Sequence, residues 1–228
     1  MKEEYNNMEK NYIPVLKYSF LTRYFDIFSK IALPETRYKQ YLIKHSNISK
    51  GHRVLDFGCG TGTLLIILNE LKNSYGSNNV ELHGVDIDND VLAIAKKKMQ
   101  KQGLEHITLK NYDGERLPYS DNSFDVVLSS LVFHHLSPDG KINALEEIKR
   151  VLKKDAILGL LDLGKQYNWY SKHVTGITIK FNIEPISENV QGKIPILLKD
   201  NKFSVLTEKE NLNTFYGALT VTVSRNIK

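Results

Sequence analysis

The chain has 228 residues, 41% of them hydrophobic, a formal charge of +5 and one cysteine, Cys59. A single thiol excludes an internal disulfide, an iron–sulfur cluster and any zinc site built on several thiolates, and no metal site is expected. No apolar run approaches the roughly 20 residues of a membrane helix, since the most apolar stretch, 156–163, contains Asp162, and residues 1–7 are acidic and amide-rich where a signal peptide would be apolar, so a cytoplasmic protein is expected.

In chain order, residues 1–50 hold Tyr5, Tyr12, Tyr18, Tyr24, Tyr38 and Tyr41, half of the 12 tyrosines, together with Phe20, Phe25 and Phe28. They read either as helices packed on the core by their aromatic faces or as a lid over a substrate pocket. Apolar runs of strand length follow at 53–57, 80–85, 106–109, 124–128 and 156–161, alternating with segments of helical period, the pattern of a parallel sheet covered on both faces. The first intervening helix follows Gly62, with Leu64, Leu65, Leu68 and Leu71 on one side. The second has Asp88 as N-cap, Leu92, Ala95 and Met99 inward, and Gly103 beyond its end. The third opens Ser137-Pro138-Asp139, a cap followed by proline at the first helical position, and carries Ile142, Leu145, Ile148 and Leu152.

The runs Lys96-Lys97-Lys98 with Lys101, and Lys149-Arg150 with Lys153-Lys154, fall in last helical turns, where cations complement the dipole. They read as solvated helix ends, so nucleic acid is not the expected partner despite a pI near 9.0. Two further strands are predicted at 202–206 and 218–223, the latter with Leu219, Val221 and Val223 alternating against threonines, which suits an antiparallel edge. The expectation is one α/β domain over 1–228, a three-layer αβα sandwich on a mostly parallel seven-stranded sheet with an antiparallel C-terminal edge strand. Residues 1–50 form its cap region and 51–163 its cofactor-binding core.

In open α/β sheets a ligand sits outside the carboxyl ends of the strands, where strand order reverses. Four successive predicted strands end in polar or glycine residues at that edge. The first runs into Asp56-Phe57-Gly58-Cys59-Gly60-Thr61-Gly62, where glycines permit a sharp turn and let a ligand approach bare N–H groups at a helix start. The second ends in Asp86, about 26 residues past Gly60, a placement suited to both hydroxyls of a ribose. The third ends in Asn111-Tyr112-Asp113-Gly114 and the fourth in Ser129-Ser130. The loop departs from the dinucleotide fingerprint G-x-G-x-x-G, with Thr63 where the third glycine belongs, and it lacks the G-K-[ST] of a P-loop. A carboxylate at Asp56 is a liability beside phosphate but suits a cationic sulfur and an amino-acid head, the two features of S-adenosylmethionine.

The segment 51–163 resembles the class I, Rossmann-like S-adenosylmethionine-dependent methyltransferases, and within them the UbiE-like group of ubiquinone and menaquinone C-methylation. The likeness rests on Gly51-His52-Arg53-Val54-Leu55-Asp56-Phe57-Gly58-Cys59-Gly60-Thr61-Gly62, on Gly84-Val85-Asp86-Ile87-Asp88, and on Asp113-Gly114-Glu115-Arg116-Leu117-Pro118-Tyr119 through Ser129-Ser130-Leu131-Val132-Phe133-His134-His135-Leu136. It implies that Asp56, Gly58, Cys59, Gly60, Thr61 and Gly62 line the methionine portion of the cofactor and that Asp86, with Ile87 beside it, holds the ribose. It also implies that Asp113 and Gly114 meet the adenine and that Ser130 lies by the sulfonium. Lys154-Asp155-Ala156 departs from the family's Pro-Gly-Gly.

His134 and His135 are the candidate general bases, against the alternative that they pack or hydrogen-bond. Tyr167, Trp169 and Tyr170 either wall an acceptor site or cover the core. There is no Pro-Pro-Tyr of amino-methylating enzymes, no Pro-Cys of cytosine C5 chemistry, and no cysteine set for arsenite. A small-molecule acceptor of aromatic, apolar or quinone-like character remains, and its identity and the methylated atom stay open. The competing readings are a nicotinamide-dependent oxidoreductase and a non-catalytic domain that binds S-adenosylmethionine or S-adenosylhomocysteine.

Overall fold

The computed structural model describes residues 35–71, 79–166, 169, 172–173, 187–214 and 217–228. Residues 1–34, which carry most of the proposed lid, and Tyr167 and Tyr170 lie outside the described residues. The strands are β1 (Arg53–Phe57), β2 (Glu81–Asp86), β3 (Thr108–Asn111), β4 (Phe124–Ser130), β5 (Leu152–Leu163), β6 (Phe203–Thr214) and β7 (Gly217–Asn226). They form one sheet in the order β3-β2-β1-β4-β5-β7-β6. β1 pairs in parallel with both β2 and β4, so the chain reverses its direction of travel across the sheet between β1 and β4. The carboxyl ends of β1 and β4 flank that point, which is where a ligand is expected.

Alternation along each strand sends side chains to two cores. Val54 and Val126 join α1 (Glu35–His45), α2 (Thr63–Leu71) and α3 (Asn89–Gln100) on one face. Leu55, Phe57 and Val127 join α4 (Pro138–Val151) and, further along the chain, α6 (Ile194–Asp200) on the other. A single turn, α5 (Ser187–Val190), precedes α6. The helices are built as expected. Asp88 accepts from the N–H groups of Asp90 and Val91 to cap α3, and Ser137 accepts from Gly140 N–H to cap α4, with Pro138 following it. Within the first 50 residues, Tyr38, Leu42 and Ile43 of α1 are buried in the first core.

Four differences from the sequence reading have physical reasons. Ile142, grouped with Leu145 by its spacing, is 39% exposed, because α4 turns Ala144, Leu145, Ile148 and Val151 to the sheet instead. Lys153 and Lys154 belong to β5 and not to a helix end; Lys153 Nζ reaches Asp125 Oδ1 at 2.7 Å. β3 begins two residues late because Leu104 to Ile107 close a turn, with Ile107 N–H donating to Leu104 O. The reversed strand β7 is not itself the edge. It pairs antiparallel with β5 on one side and β6 on the other, and Thr222 and Ser224, on its second face, are buried. At the departure from Pro-Gly-Gly, Asp155 has φ +61°, the left-handed conformation that glycine usually supplies and aspartate tolerates better than most residues.

Candidate active site

The loop after β1 is stitched to the end of β2. Gly58 and Cys59 N–H both donate to Val85 O at 2.9 Å, and Gly60 N–H donates to Asp86 Oδ2 at 2.8 Å. Gly62 N–H donates to Cys59 O at 2.9 Å. Four of the five amides from Gly58 to Gly62 are therefore satisfied inside the protein, and the loop is not the cradle of bare N–H groups expected from its glycines. Glycine is needed at position 58 on two counts: φ is +71°, and a Cβ would stand 2.4 Å from Val132 Cγ2. At Gly60 nothing among the described residues lies within 4 Å of where a Cβ would be. From α3, Lys98 Nζ donates to Thr61 O and Oγ1 at 3.3 Å and to Thr63 Oγ1 at 3.1 Å, a second tether on the same turn.

The ends of β2 and β3 are likewise joined. Tyr112 N–H donates to Asp86 O at 2.9 Å, and Asn111 Nδ2 donates to Asp86 O and Ile87 O. Asp113 Oδ1 accepts from Glu115 and Arg116 N–H, which fixes the turn at Gly114. Ile87 Cδ1 lies 3.3 Å from the place a Cβ would take on Gly114, so these two residues face each other across the gap between strand ends.

Charge at this edge is unusual for an α/β loop. Asp56 is 1% exposed. Burial pushes its carboxyl up to about 7, against the opposing charge of Lys39 from α1 and with some help from Asp86. Burial also raises Asp86, although the N–H groups of Asp88 and Gly60 counter it. Asp56 Oδ2 and Ser130 Oγ are buried with no hydrogen-bond partner among the described residues. A buried acceptor without a donor costs about 1–3 kcal/mol, more when charged, so both atoms suit a ligand that brings a donor or a positive charge. A sulfonium with an ammonium-bearing head fits this pair; a pyrophosphate would meet two carboxylates and few unspent amides. Cys59 is buried and burial raises its thiol well above the ordinary range, so it serves as a small loop residue. No group of three or more metal-ligating side chains occurs among the described residues.

The two histidines lie in the single 3-10 turn Phe133–His135, just past β4. Both are buried, with ring centroids 3.9 Å apart. His134 Nδ1 lies 2.7 Å from Asp162 Oδ1, at the carboxyl end of β5. His135 is pulled down to about 3, first by burial and then by the charge of His134. Asp162, Lys39 and Val132 are site residues that the sequence reading passed over. Asp162 could have been found by applying to β5 the rule already used for the other strand ends. Trp169 is 80% exposed.

Residues 54–155 match the family described as methyltransferase domain. The chain is 36% identical over 132 residues to a demethylmenaquinone methyltransferase of Lactobacillus johnsonii, an alignment covering 58% of this chain and 52% of the relative. It is 32% identical over 145 residues to a ubiquinone/menaquinone biosynthesis C-methyltransferase, UbiE, of Bdellovibrio bacteriovorus, covering 60% and 58%. The chain thus spans little more than half the length of these curated relatives. Among solved structures it is similar to a SAM-dependent methyltransferase of Aquifex aeolicus, with a TM-score of 0.66 and 21% identity over 89% of this chain and 98% of that one. This likeness concerns the fold.

Proposed function

We propose that this chain, in which residues 54–155 match a methyltransferase domain, is a class I, UbiE-like S-adenosylmethionine-dependent methyltransferase that methylates a small, quinone-like aromatic acceptor in the cytoplasm. The observation that carries the reading is the buried carboxylate of Asp56 and the half-buried one of Asp86, on either side of a glycine loop most of whose amides are already spent. That arrangement receives a cation and a ribose and disfavours the pyrophosphate of a nicotinamide cofactor. No helix among the described residues is long and apolar enough to cross a membrane.

S-adenosylmethionine, when bound, supplies an electrophilic methyl group on a sulfonium. Around it, Asp56 and the turn from Gly58 to Gly62 would hold the amino-acid head. Asp86 and Ile87 would take the ribose, Asp113 and Gly114 the adenine, and Ser130 would stand near the sulfur. In-line displacement asks of the protein mainly alignment and a dry site. Where the acceptor carries a proton, we assign its removal to His134 and not His135, because Asp162 stabilises a charge gained on His134 while His135 is held neutral by burial. The quinone-like acceptor is supported by the names of the relatives and by the absence of the sequence signatures of amine, cytosine and arsenite methylation.

The test is incubation of the protein with methyl-labelled S-adenosylmethionine and a reduced naphthoquinol lacking the ring methyl. Label on the quinol ring is the expected result. Binding of the cofactor with no transfer to any quinol, and transfer to an amine or carboxylate acceptor instead, would overturn the acceptor assignment.

A further inference from the structure

We propose that Asp162 is a positioning residue for the methionine end of the cofactor, acting through the exit of β4; the inference rests on the site reading above. Asp162 is 4% exposed at the end of β5 and its carboxylate gathers five donors. Oδ2 accepts from Val132 N–H at 3.1 Å and Phe133 N–H at 2.8 Å. Oδ1 accepts from Leu163 N–H at 2.7 Å and Asn189 Nδ2 at 3.2 Å, and it meets His134 Nδ1 at 2.7 Å. Burial would raise this carboxyl, but His134 and the Leu163 N–H outweigh it and hold it below the usual range.

Three features mark the segment so held, and one of them, Val132, touches the glycine loop. Leu131 is left-handed, with φ +61°, and its N–H donates to Leu161 O at 2.8 Å. A non-glycine residue keeps that conformation only where its surroundings over-determine it, and such residues gather at functional sites. Val132, the next residue, presses its isopropyl group on Gly58 so closely that no Cβ fits between. Ser130, on the other side, holds the buried hydroxyl that lacks a partner among the described residues. By fixing the amides of residues 132 and 133, Asp162 sets how Val132 and Ser130 stand against the glycine loop. The adenosine side of the site, at Asp86, Ile87 and Gly114, belongs to strands farther along the sheet: β2 is two places from β4, about 10 Å away. A disturbance at the β4 exit should therefore be felt at one end of the cofactor and not the other.

Calorimetric titration of Asp162→Asn and Val132→Ala with S-adenosylmethionine and with adenosine separates this role from a structural one. Asn has the same shape but cannot accept on both oxygens, so one amide of the turn or the imidazole loses its acceptor. Asp162→Asn is expected to bind S-adenosylmethionine about tenfold more weakly, equivalent to roughly 1.4 kcal/mol, and adenosine within about twofold of the native chain. Val132→Ala, which leaves the Asp162 bonds in place, should show the same selective loss. Equal weakening of both ligands by Asp162→Asn, or a lower melting temperature with unchanged affinities, would overturn the proposal, as would unchanged S-adenosylmethionine affinity in Val132→Ala should the Asn variant not fold. A native chain that binds adenosine and S-adenosylmethionine not at all would instead remove the site reading on which the inference rests.

Discussion

The carboxyl of Asp56 is buried, pushed up to about 7 by desolvation, and carries one oxygen with no hydrogen-bond partner among the described residues. Its folded value stands above the ordinary 3.8, so the stability it contributes is fully present below about 3.8 and is lost as pH rises through about 7. A cation bound beside it favours the ionised form and expels the proton. S-adenosylmethionine should accordingly bind more tightly at about pH 8 than at about pH 6, with proton release at the lower pH, and Asp56→Asn should flatten that dependence. Calorimetry in buffers of different ionisation heat reads both quantities; the same pH dependence in Asp56→Asn would assign the proton elsewhere. At this scale the positions are legible in the sequence, since Asp56, Asp86 and Ser130 each lie at or next to the end of an apolar run. In the sequence Asp162 only interrupts such a run, because the partners that give it meaning, Val132 to His134, lie some 30 residues back and join it through the sheet. Lys39 was equally hidden: it sits between apolar positions of α1, and only packing brings its charge to bear on Asp56.

Elements were legible where their ends carry chemistry of their own. Asp88 and Ser137 announce α3 and α4 by their capping oxygens, and β1 was placed to the residue because a glycine turn stops it. The faces of helices were less so. Spacing alone made Ile142 equivalent to Leu145 on α4, whereas the sheet selects a stripe one step around the helix, leaving Ile142 39% exposed and Leu145 fully buried. Leu145→Ala should cost about 2–5 kcal/mol in denaturant unfolding, and Ile142→Ala within about 0.5 kcal/mol. Comparable losses at both would mean that α4 is rotated from the orientation described. The lengths of β6 and β7 were underestimated for a related reason. The polar stretch 208–213 pairs with β7 through backbone groups at the sheet edge, where no apolar alternation is required.

For the whole molecule, the order of elements settled the architecture before any side chain was placed: five strands with three helices between them give a parallel sheet with a reversal, and the reversal gives the site. The position of the reversed strand was not accessible in this way, since hairpin residues do not say whether β6 or β7 pairs with β5; burial of both faces of β7 decides it. The same topology brings Asp56, Asp86 and Ser130 from three separate strands to one edge, which no local pattern could establish alone. The account as a whole stands on the identity of the ligand at that edge. The most direct measurement is therefore paired calorimetry and thermal melting of the intact chain with S-adenosylmethionine and with NAD. A dissociation constant on the order of micromolar is expected for S-adenosylmethionine, with stabilisation of about 2.7 kcal/mol at one hundred times that concentration and neither heat nor melting shift with NAD. Heat and a melting shift with NAD, and none with S-adenosylmethionine, would contradict it.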